Sequence, residues 1–251
     1  MATRALLYRR PAEPATVLVR HGSQFFTVRL RRHRRARRYT LRIHPTDREA
    51  ILTMPPRGTI VEAKEFANIH GGWIAARLGR LPKAAPFQPG TVVPLRGVPH
   101  RLVHRSGERG TVWTETRDSG EKILCVAGGV EHMDRRVHDF LKREARKDLQ
   151  KAAALHAAEL DVRVRRISIR DQSSRWGSCT SAGSLSFSWR LILAPPFVLD
   201  YLAAHEVAHL VEMNHSARFW RVVDKVCASV TRAKNWLDTH GNDLHRYGIQ
   251  E

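Results

Sequence analysis

The sequence predicts an α+β fold: a β-rich N-terminal part with one helix, followed by a helical C-terminal core that has a short β-hairpin or small sheet before its central helix. Up to about residue 126, apolar and polar residues alternate in short segments, as they do in strands. From Glu131 onward the apolar residues recur every three or four positions, as they do in helices. We therefore expect a β-rich region with a basic hairpin over residues 1–130 and a helical core over residues 131–251.

The N-terminal elements follow from the alternating segments and from the turn residues between them. A T-x-x-E capping box at Thr59 and Glu62 predicts the start of the one helix, which runs to about Leu81, where prolines follow. Arg96 and Gly97 predict a tight turn between two later strands. The predicted strands cover residues 16–20, 25–30, 39–43, 50–54, 91–95, 101–104, 111–114 and 122–126.

The C-terminal part begins with a long amphipathic helix, predicted over residues 137–160. A strand over residues 164–170 comes next, and residues 185–189 and 191–193 continue as strand or hairpin. The pair Pro195-Pro196 then opens a mostly apolar helix, because proline is tolerated in the first helical turn. The apolar flanks of this last helix predict that it packs inside the domain.

This apolar helix carries the motif His205-Glu206-x-x-His209. Residues four apart on a helix share a face and lie about 6 Å apart along the axis, so both imidazoles can bind one metal ion. Glu206 lies beside them, where a carboxylate can take a proton from a water molecule activated at the metal. On a buried helix these polar groups need partners, because unpaired buried polar groups are costly, and a metal ion is such a partner. The spacing is typical of zinc hydrolases.

A third metal ligand is expected in the segment after the motif. A continuing helix would carry His215 too far round and along the axis to reach the same metal, so the helix must end between Glu212 and Asn214. Asn214 suits the left-handed backbone that ends many helices, and Ser216 suits the N-cap of the next helix. We expect His215 as the third zinc ligand, with one open position for water, and Glu212 is the alternative.

The composition limits the class of protein. The chain of 251 residues contains no run of about 18 apolar residues, so we expect neither a membrane span nor a membrane partner. The first ten residues lack the apolar segment and cleavage site of a secretory signal, which predicts a cytoplasmic protein. Cys125, Cys179 and Cys227 are odd in number and form no C-x-x-C pair, so neither a disulfide framework nor a zinc ribbon is indicated.

The formal net charge is +19, and its densest part lies between Arg31 and Arg38. Such a run is often a solvated strand–turn–strand edge. It can also attract phosphates, because arginine binds them with paired hydrogen bonds. No motif with groove geometry accompanies it. We therefore expect non-specific contact with nucleic acid, and no sequence-specific recognition, through this segment.

Four motifs in order resemble the YgjP-like metallopeptidase family. They are Ser174-Arg175-Trp176-Gly177-Ser178-Cys179, Trp189-Arg190-Leu191-Ile192-Leu193-Ala194-Pro195-Pro196, His205-Glu206-x-x-His209-Leu210 and Asn214-His215-Ser216-x-x-Phe219-Trp220. The resemblance extends from about Phe25 to Tyr247. It implies a minimal zincin core related to SprT-type proteins, with the three histidines as zinc ligands and Glu206 as catalytic acid/base. Some members of the family carry a UTP pyrophosphatase label.

The segment around Trp176 has two interpretations. In the functional one, Arg175 binds a substrate carboxylate or phosphate near the metal, and Ser178 or Cys179 lines the cleft. In the structural one, Trp176 is a core anchor, Gly177 allows a tight turn or bulge, and Cys179 is a small buried apolar residue. We favour the structural interpretation, since bulky aromatic residues usually belong to the core.

The function expected from these observations is a zinc-dependent hydrolase, with a soluble metallopeptidase that uses Glu206 as general base as the leading hypothesis. The alternatives are a UTP pyrophosphatase with the same metal site, and a nucleic-acid-associated protease docked by the arginine-rich hairpin. The substrate is thus a peptide, a protein or a nucleotide. Asn214 joins Arg175 and Ser178 as a candidate substrate-binding residue, whereas His240 and His245 are expected as surface or capping residues.

Overall fold

The computed structural model describes residues 14–172 and 175–248. The first ten residues, from which no secretory signal is expected, and Ser174 of the first family motif therefore lie outside the described residues. By its internal contacts the chain divides into two compact units, Met1–Leu81 and Pro82–Glu251.

The first unit is a four-stranded sheet with two helices packed on one face. The strand order is β1-β2-β4-β3, with β2 and β4 parallel and the other pairs antiparallel. Alternate residues point to the helices and form a small apolar core, which includes Val28, Leu52 and Ala63. The elements are β1 (Thr16–His21), β2 (Gln24–Arg32), β3 (Thr40–His44), β4 (Glu49–Met54), α1 (Ile60–Ile69) and α2 (Gly71–Gly79).

Two expectations for this unit are wrong in detail. The arginine-rich segment is not a hairpin, because β4 lies between β2 and β3 in the sheet, so residues 33–39 form a crossing loop. The single helix is two helices, because the chain leaves helical geometry at His70, where ψ is 13°. Gly71 and Gly72 follow directly, and consecutive glycines have low helix propensity.

The second unit contains two sheets and the remaining helices. One sheet has the order β5-β6-β8-β7, and the other has the order β10-β11-β9, which leaves β10 at an edge. Its elements are β5 (Val92–Leu95), β6 (Val98–Arg105), β7 (Val112–Thr116), β8 (Lys122–Ala127), α3 (Met133–Glu159), β9 (Arg166–Arg170), β10 (Gly177–Cys179), β11 (Ser184–Ser188), α4 (Pro196–Ala208), α5 (Ala217–Val226) and α6 (Val230–His240), with 3-10 turns at Val130–His132, Trp189–Leu193 and Gly241–Arg246.

One apolar core serves the whole second unit. Leu102 and Leu124 of the first of these sheets share it with Leu141 of α3 and Ala203 of α4. The change from strands to helices at residue 131 therefore does not coincide with the boundary between the compact units, which lies between residues 81 and 82. The α+β class itself, with strands first and helices after them, is confirmed.

The segment after β11 differs from the prediction of strand or hairpin for residues 191–193. It is a 3-10 turn, Trp189–Leu193, in which all five side chains are buried. Its carbonyl groups at Ile192 and Leu193 accept hydrogen bonds from the N–H groups of Arg96 and Gly97, at 2.7 and 3.1 Å. These bonds come from a turn, not from a neighbouring strand, so the segment has no ladder to join.

Substitution of Thr59 by alanine should lower the free energy of unfolding by about 1 kcal/mol, because the threonine caps α1. Its hydroxyl accepts a hydrogen bond from the Glu62 N–H at 3.2 Å, and Glu62 accepts one from the Thr59 N–H at 2.8 Å. Urea unfolding measures the difference. The control is Thr59→Ser, which keeps the hydroxyl; equal loss in both variants would contradict a capping role.

Candidate metal centre

Helix α4 carries the first two histidines and the glutamate of the motif. Pro196 stands in its first turn, where proline needs no N–H partner, and the helix is buried on almost every side. His205 and Glu206 lie in its last turn, and His209 directly follows its end. The deep packing of α4 gives these side chains a rigid support, as a preformed site requires.

A tight turn after α4 brings back the third histidine. The helix ends at Ala208, earlier than predicted, and the Ala208 carbonyl accepts hydrogen bonds from the N–H groups of both Val211 and Glu212, at 3.0 Å each. The predicted left-handed backbone at Asn214 is wrong. Instead its side chain holds the turn: the amide donates to Glu212 Oε1 at 2.8 Å, and Oδ1 accepts from the Ser216 N–H at 3.0 Å.

The turn places three imidazoles around one point. One nitrogen each from His205, His209 and His215 lies within 4.8 Å of the others, and this is the one group of potential metal ligands among the described residues. The Nε2 atoms of His205 and His215 are 3.1 Å apart. Two nitrogens on a tetrahedral zinc ion lie about 3.3 Å apart, given bonds of about 2.0–2.1 Å. The three residues therefore fit a metal ion.

Phe219 of α5 forms the floor beneath the three rings. Its ring centroid lies 4.5 Å from His209, 4.8 Å from His215 and 4.9 Å from His205. The residue is completely buried, so its ring limits how far each imidazole can rotate. Position 219 is fixed in turn by Ser216, which caps α5 and accepts a hydrogen bond from the Phe219 N–H at 3.4 Å.

Burial favours the neutral, metal-binding form of two of the imidazoles, those of His205 and His209. Burial, with help from the other two histidines and Lys234, lowers the pKa of His205 to about 4. Burial likewise lowers the pKa of His209. The Nδ1 of His209 lies 3.1 Å from the Glu212 carbonyl oxygen, to which its N–H can donate, and this leaves Nε2 with its lone pair free.

Glu206 is buried beside the imidazoles, with only 3% of its surface exposed. Its Oε2 has no hydrogen-bond partner among the described residues. Burial raises the pKa of Glu206 to about 7, and the positive charge of Arg175 opposes this shift. A carboxylate with a pKa near neutrality can both accept and return a proton.

Gly177 of the edge strand β10 lies directly against this carboxylate. A side-chain carbon at position 177 would stand 2.4 Å from Glu206 Oε1, closer than two such atoms can approach. Only glycine lets the strand come so near. Gly177 therefore allows close approach of β10 to α4, whereas the sequence suggested a tight turn or bulge.

An open cleft of about 360 Å³ lies beside the glutamate. Basic and aromatic side chains from three segments surround it. Its lining includes Arg175, Trp176, Tyr201, Lys234 and Asp238. Burial raises the pKa of Tyr201 to about 12, so its phenol keeps its proton and remains a hydrogen-bond donor.

The sequence model of the YgjP-like metallopeptidase domain matches residues 37–240. The chain belongs to the YgjP-like metallopeptidase family. This membership confirms the resemblance inferred from the four motifs, and it indicates a hydrolase that works with a metal ion. No curated protein matches the chain significantly.

Among solved structures, the metallopeptidase zymogen of Pyrococcus abyssi abylysin is similar to part of this YgjP-like chain. The match has 23% identity and covers 39% of this chain and 97% of that one, with a TM-score of 0.34.

Over the described residues, no helix has both the length and the apolar character needed to cross a membrane.

The candidate substrate-binding residues of this YgjP-like chain lie in different surroundings. Arg175 lines the cleft. Ser178 lies on β10, but its side chain alternates to the strand face opposite Gly177, and so away from Glu206. Both the nitrogen and the oxygen of the Asn214 amide form hydrogen bonds within the turn. Glu212, the alternative ligand, is not in the metal-binding group.

Sequence reasoning missed several residues of the site. Neither Tyr201 nor Lys234 is a site candidate in the sequence, and Phe219 enters only as part of a family motif. Tyr201 had a usable signal, since it stands four residues before His205 and so shares its face of the helix. His245, expected at the surface, is 5% exposed and stacks on Trp176 at 5.1 Å. No local pattern in the sequence predicts the burial of His245, because its partner Trp176 lies far away along the chain.

Replacement of Gly177 by alanine should reduce catalytic activity by about 100-fold, since the added methyl group must displace the Glu206 carboxylate and misplacement by about 1 Å has this cost. Metal content should stay unchanged, because the three atoms nearest to the added methyl group all belong to Glu206 and not to a histidine. The control is Gly107→Ala, where the added carbon meets nothing within 4 Å. Full activity in Gly177→Ala would contradict the close approach.

In metal-free protein, Glu206→Gln should raise stability above about pH 7. The folded-state pKa of Glu206 is about 7, against an ordinary value of 4.5, so the folded wild type is stabilised by the bound proton only at low pH. That contribution is lost as the pH rises from 4.5 to 7. Above pH 7 the free energy of unfolding of the variant should therefore exceed that of the wild type by about 3 kcal/mol. Urea unfolding with a chelator, from pH 4 to 8, measures this; superimposed stability curves would refute it.

Proposed function

We propose that this chain is a zinc-dependent metallopeptidase. The observation that carries the proposal is the position of the buried Glu206, whose Oε2 has no partner among the described residues, beside three imidazoles that can bind one metal ion. A structural zinc site uses four protein ligands, whereas three leave one position open for water or substrate. Three histidines with a neighbouring carboxylate therefore favour catalysis over a purely structural site.

His205, His209 and His215 would hold the ion, and three nitrogen ligands suit zinc. When bound, zinc polarises the substrate carbonyl and makes water acidic enough to attack at neutral pH. Glu206 accepts the proton of the attacking water and passes it to the leaving amine. Tyr201 and Arg175, on the walls of the cleft, supply donors for the negative charge that develops on the carbonyl oxygen.

A peptide substrate is favoured by the free edge of β10. This strand pairs with β11 on one side only, and Gly177 brings it against the catalytic carboxylate. An extended peptide can pair its backbone with such an edge and so present its bond to the metal. Cys179 is no competitor as nucleophile, because burial raises the pKa of its thiol to about 11.

The second candidate is a nucleoside triphosphate pyrophosphatase, with UTP as the test substrate. The observation in its favour is the pair of cations at the cleft, Arg175 and Lys234, which could neutralise phosphate oxygens. The acidic Asp238 on the same cleft opposes this candidate.

A cytoplasmic location remains our proposal, in keeping with three free cysteines.

Glu206→Gln should keep its zinc and lose peptide cleavage by about 100-fold to 10000-fold, the usual contribution of a general base. His215→Ala should lose zinc, because two ligands remain. The measurements are metal content, cleavage of a casein-derived peptide mixture, and pyrophosphate release from UTP, made on the same preparations.

His240→Ala is the matched control, since this exposed histidine lies outside the metal-binding group. It should match the wild type in every measurement. Full peptide cleavage by Glu206→Gln would refute the general base. Pyrophosphate release that depends on Glu206, without any peptide cleavage, would replace the first candidate by the second.

A further inference from the structure

We propose that the outer face of the first sheet binds single-stranded nucleic acid. The outer face is the side of β1 to β4 that points away from α1 and α2. In β1, β2 and β3 its residues are all exposed or half-buried, while the alternate residues pack on the helices. The members from these three strands are Thr16, Leu18, Arg20, Phe25, Thr27, Arg29, Arg31, Thr40, Arg42 and His44, and β4 adds Glu49, the buried Ile51 and Thr53.

The charge of this unit is strongly unbalanced. Residues 14–81 contain fourteen arginines and lysines but only four acidic residues. Arg29 pairs with Glu49 and lies 3.5 Å from Asp47. Arg31 and Arg42, by contrast, have no hydrogen bond or ion pair within the described part of the chain. Their charges are available to an external anion.

Arg29 and Arg31 lie in line with Phe25 along β2, and Arg42 lies beside Arg29, across β4. Side chains on one face of a strand recur about every 6.8 Å, so the distance from Phe25 through Arg29 to Arg31 is about 20 Å. The β2–β3 loop begins at the end of β2 and crosses to β3, and its four arginines are exposed: Arg34, Arg35, Arg37 and Arg38. A linear polyanion can follow such a track, whereas a compact anion would use only one part of it.

An exposed aromatic ring stands at the start of the line. Phe25 is 61% exposed, and the Arg20 guanidinium lies 5.9 Å from its ring centroid. The ring is therefore open to a stacking partner from solvent. An unpaired base can stack on it, and a base in a duplex cannot, which favours a single strand. Among the described residues, the outer face consists of the strands of one sheet and carries no helix that could enter a groove of duplex DNA.

This surface belongs to the first compact unit, whereas the cleft is lined by residues of the second, and only part of the surface precedes the residues that the family model matches. The family match begins at residue 37, so β1, β2 and the first half of the arginine-rich loop precede it. The inference does not depend on the proposed peptidase activity, and binding can be measured on the Glu206→Gln protein as well as on wild type.

The test is anisotropy of a fluorescent 20-nucleotide dT strand with the full chain, over a series of salt concentrations. Arg31→Ala with Arg42→Ala should weaken binding and reduce the salt slope by about 1.4, which is about 0.7 for each lost phosphate contact. The matched control is Lys64→Ala with Arg80→Ala, which removes the same charge from an exposed position on α1 and from one directly after α2. An equal loss in the control pair would overturn the proposal.

Phe25→Ala should weaken binding of the strand by about 5-fold to 150-fold, and Phe25→Trp should restore it, because stacking needs a ring. Phe25→Leu keeps the apolar surface but should not restore binding. Parallel titrations use a 20-nucleotide rU strand, a duplex of the same length and vesicles of phosphatidylglycerol. Tighter binding of the duplex than of the single strand would overturn the proposal. So would failure to bind the dT strand together with vesicle binding that Phe25→Leu leaves intact.

Discussion

The turn between α4 and α5 is the feature on which the site depends. It brings His215 back until its Nε2 lies 3.1 Å from that of His205, and the hydrogen bonds of Asn214 to Glu212 and Ser216 hold it. Without this turn the chain has two histidines on one helix face and an exposed third. Phe219 then limits the rings from below, so the positions of the ligands and the packing of α5 depend on each other.

The second constraint is the burial of Glu206. A carboxylate that is 3% exposed and lacks a partner at one oxygen is unfavourable for folding, which is the usual condition of a group reserved for chemistry. The surrounding core offsets this cost, and Gly177 admits the edge strand that closes one side of the cleft. At Glu206, stability and reactivity are opposed. A neutral side chain at this position favours stability and removes the group that moves the proton.

Local signals in the sequence were sufficient for much of the fold and for the grouping of His205, His209 and His215. The capping box at Thr59 and the prolines before α4 act within one turn of chain, and both elements begin where predicted. The order of strands could not be predicted, because the insertion of β4 between β2 and β3 depends on pairing across the chain. The same holds for His245 on Trp176, a contact between segments far apart in sequence.

The most direct test of the account is X-ray absorption spectroscopy at the zinc edge on the zinc-loaded protein. We predict a first shell of nitrogen and oxygen only, at about 2.0–2.1 Å, with the multiple-scattering pattern of three imidazoles. A sulfur ligand at about 2.3 Å, which would have to come from a cysteine such as Cys179, would contradict the account. So would a shell with two imidazoles in place of three.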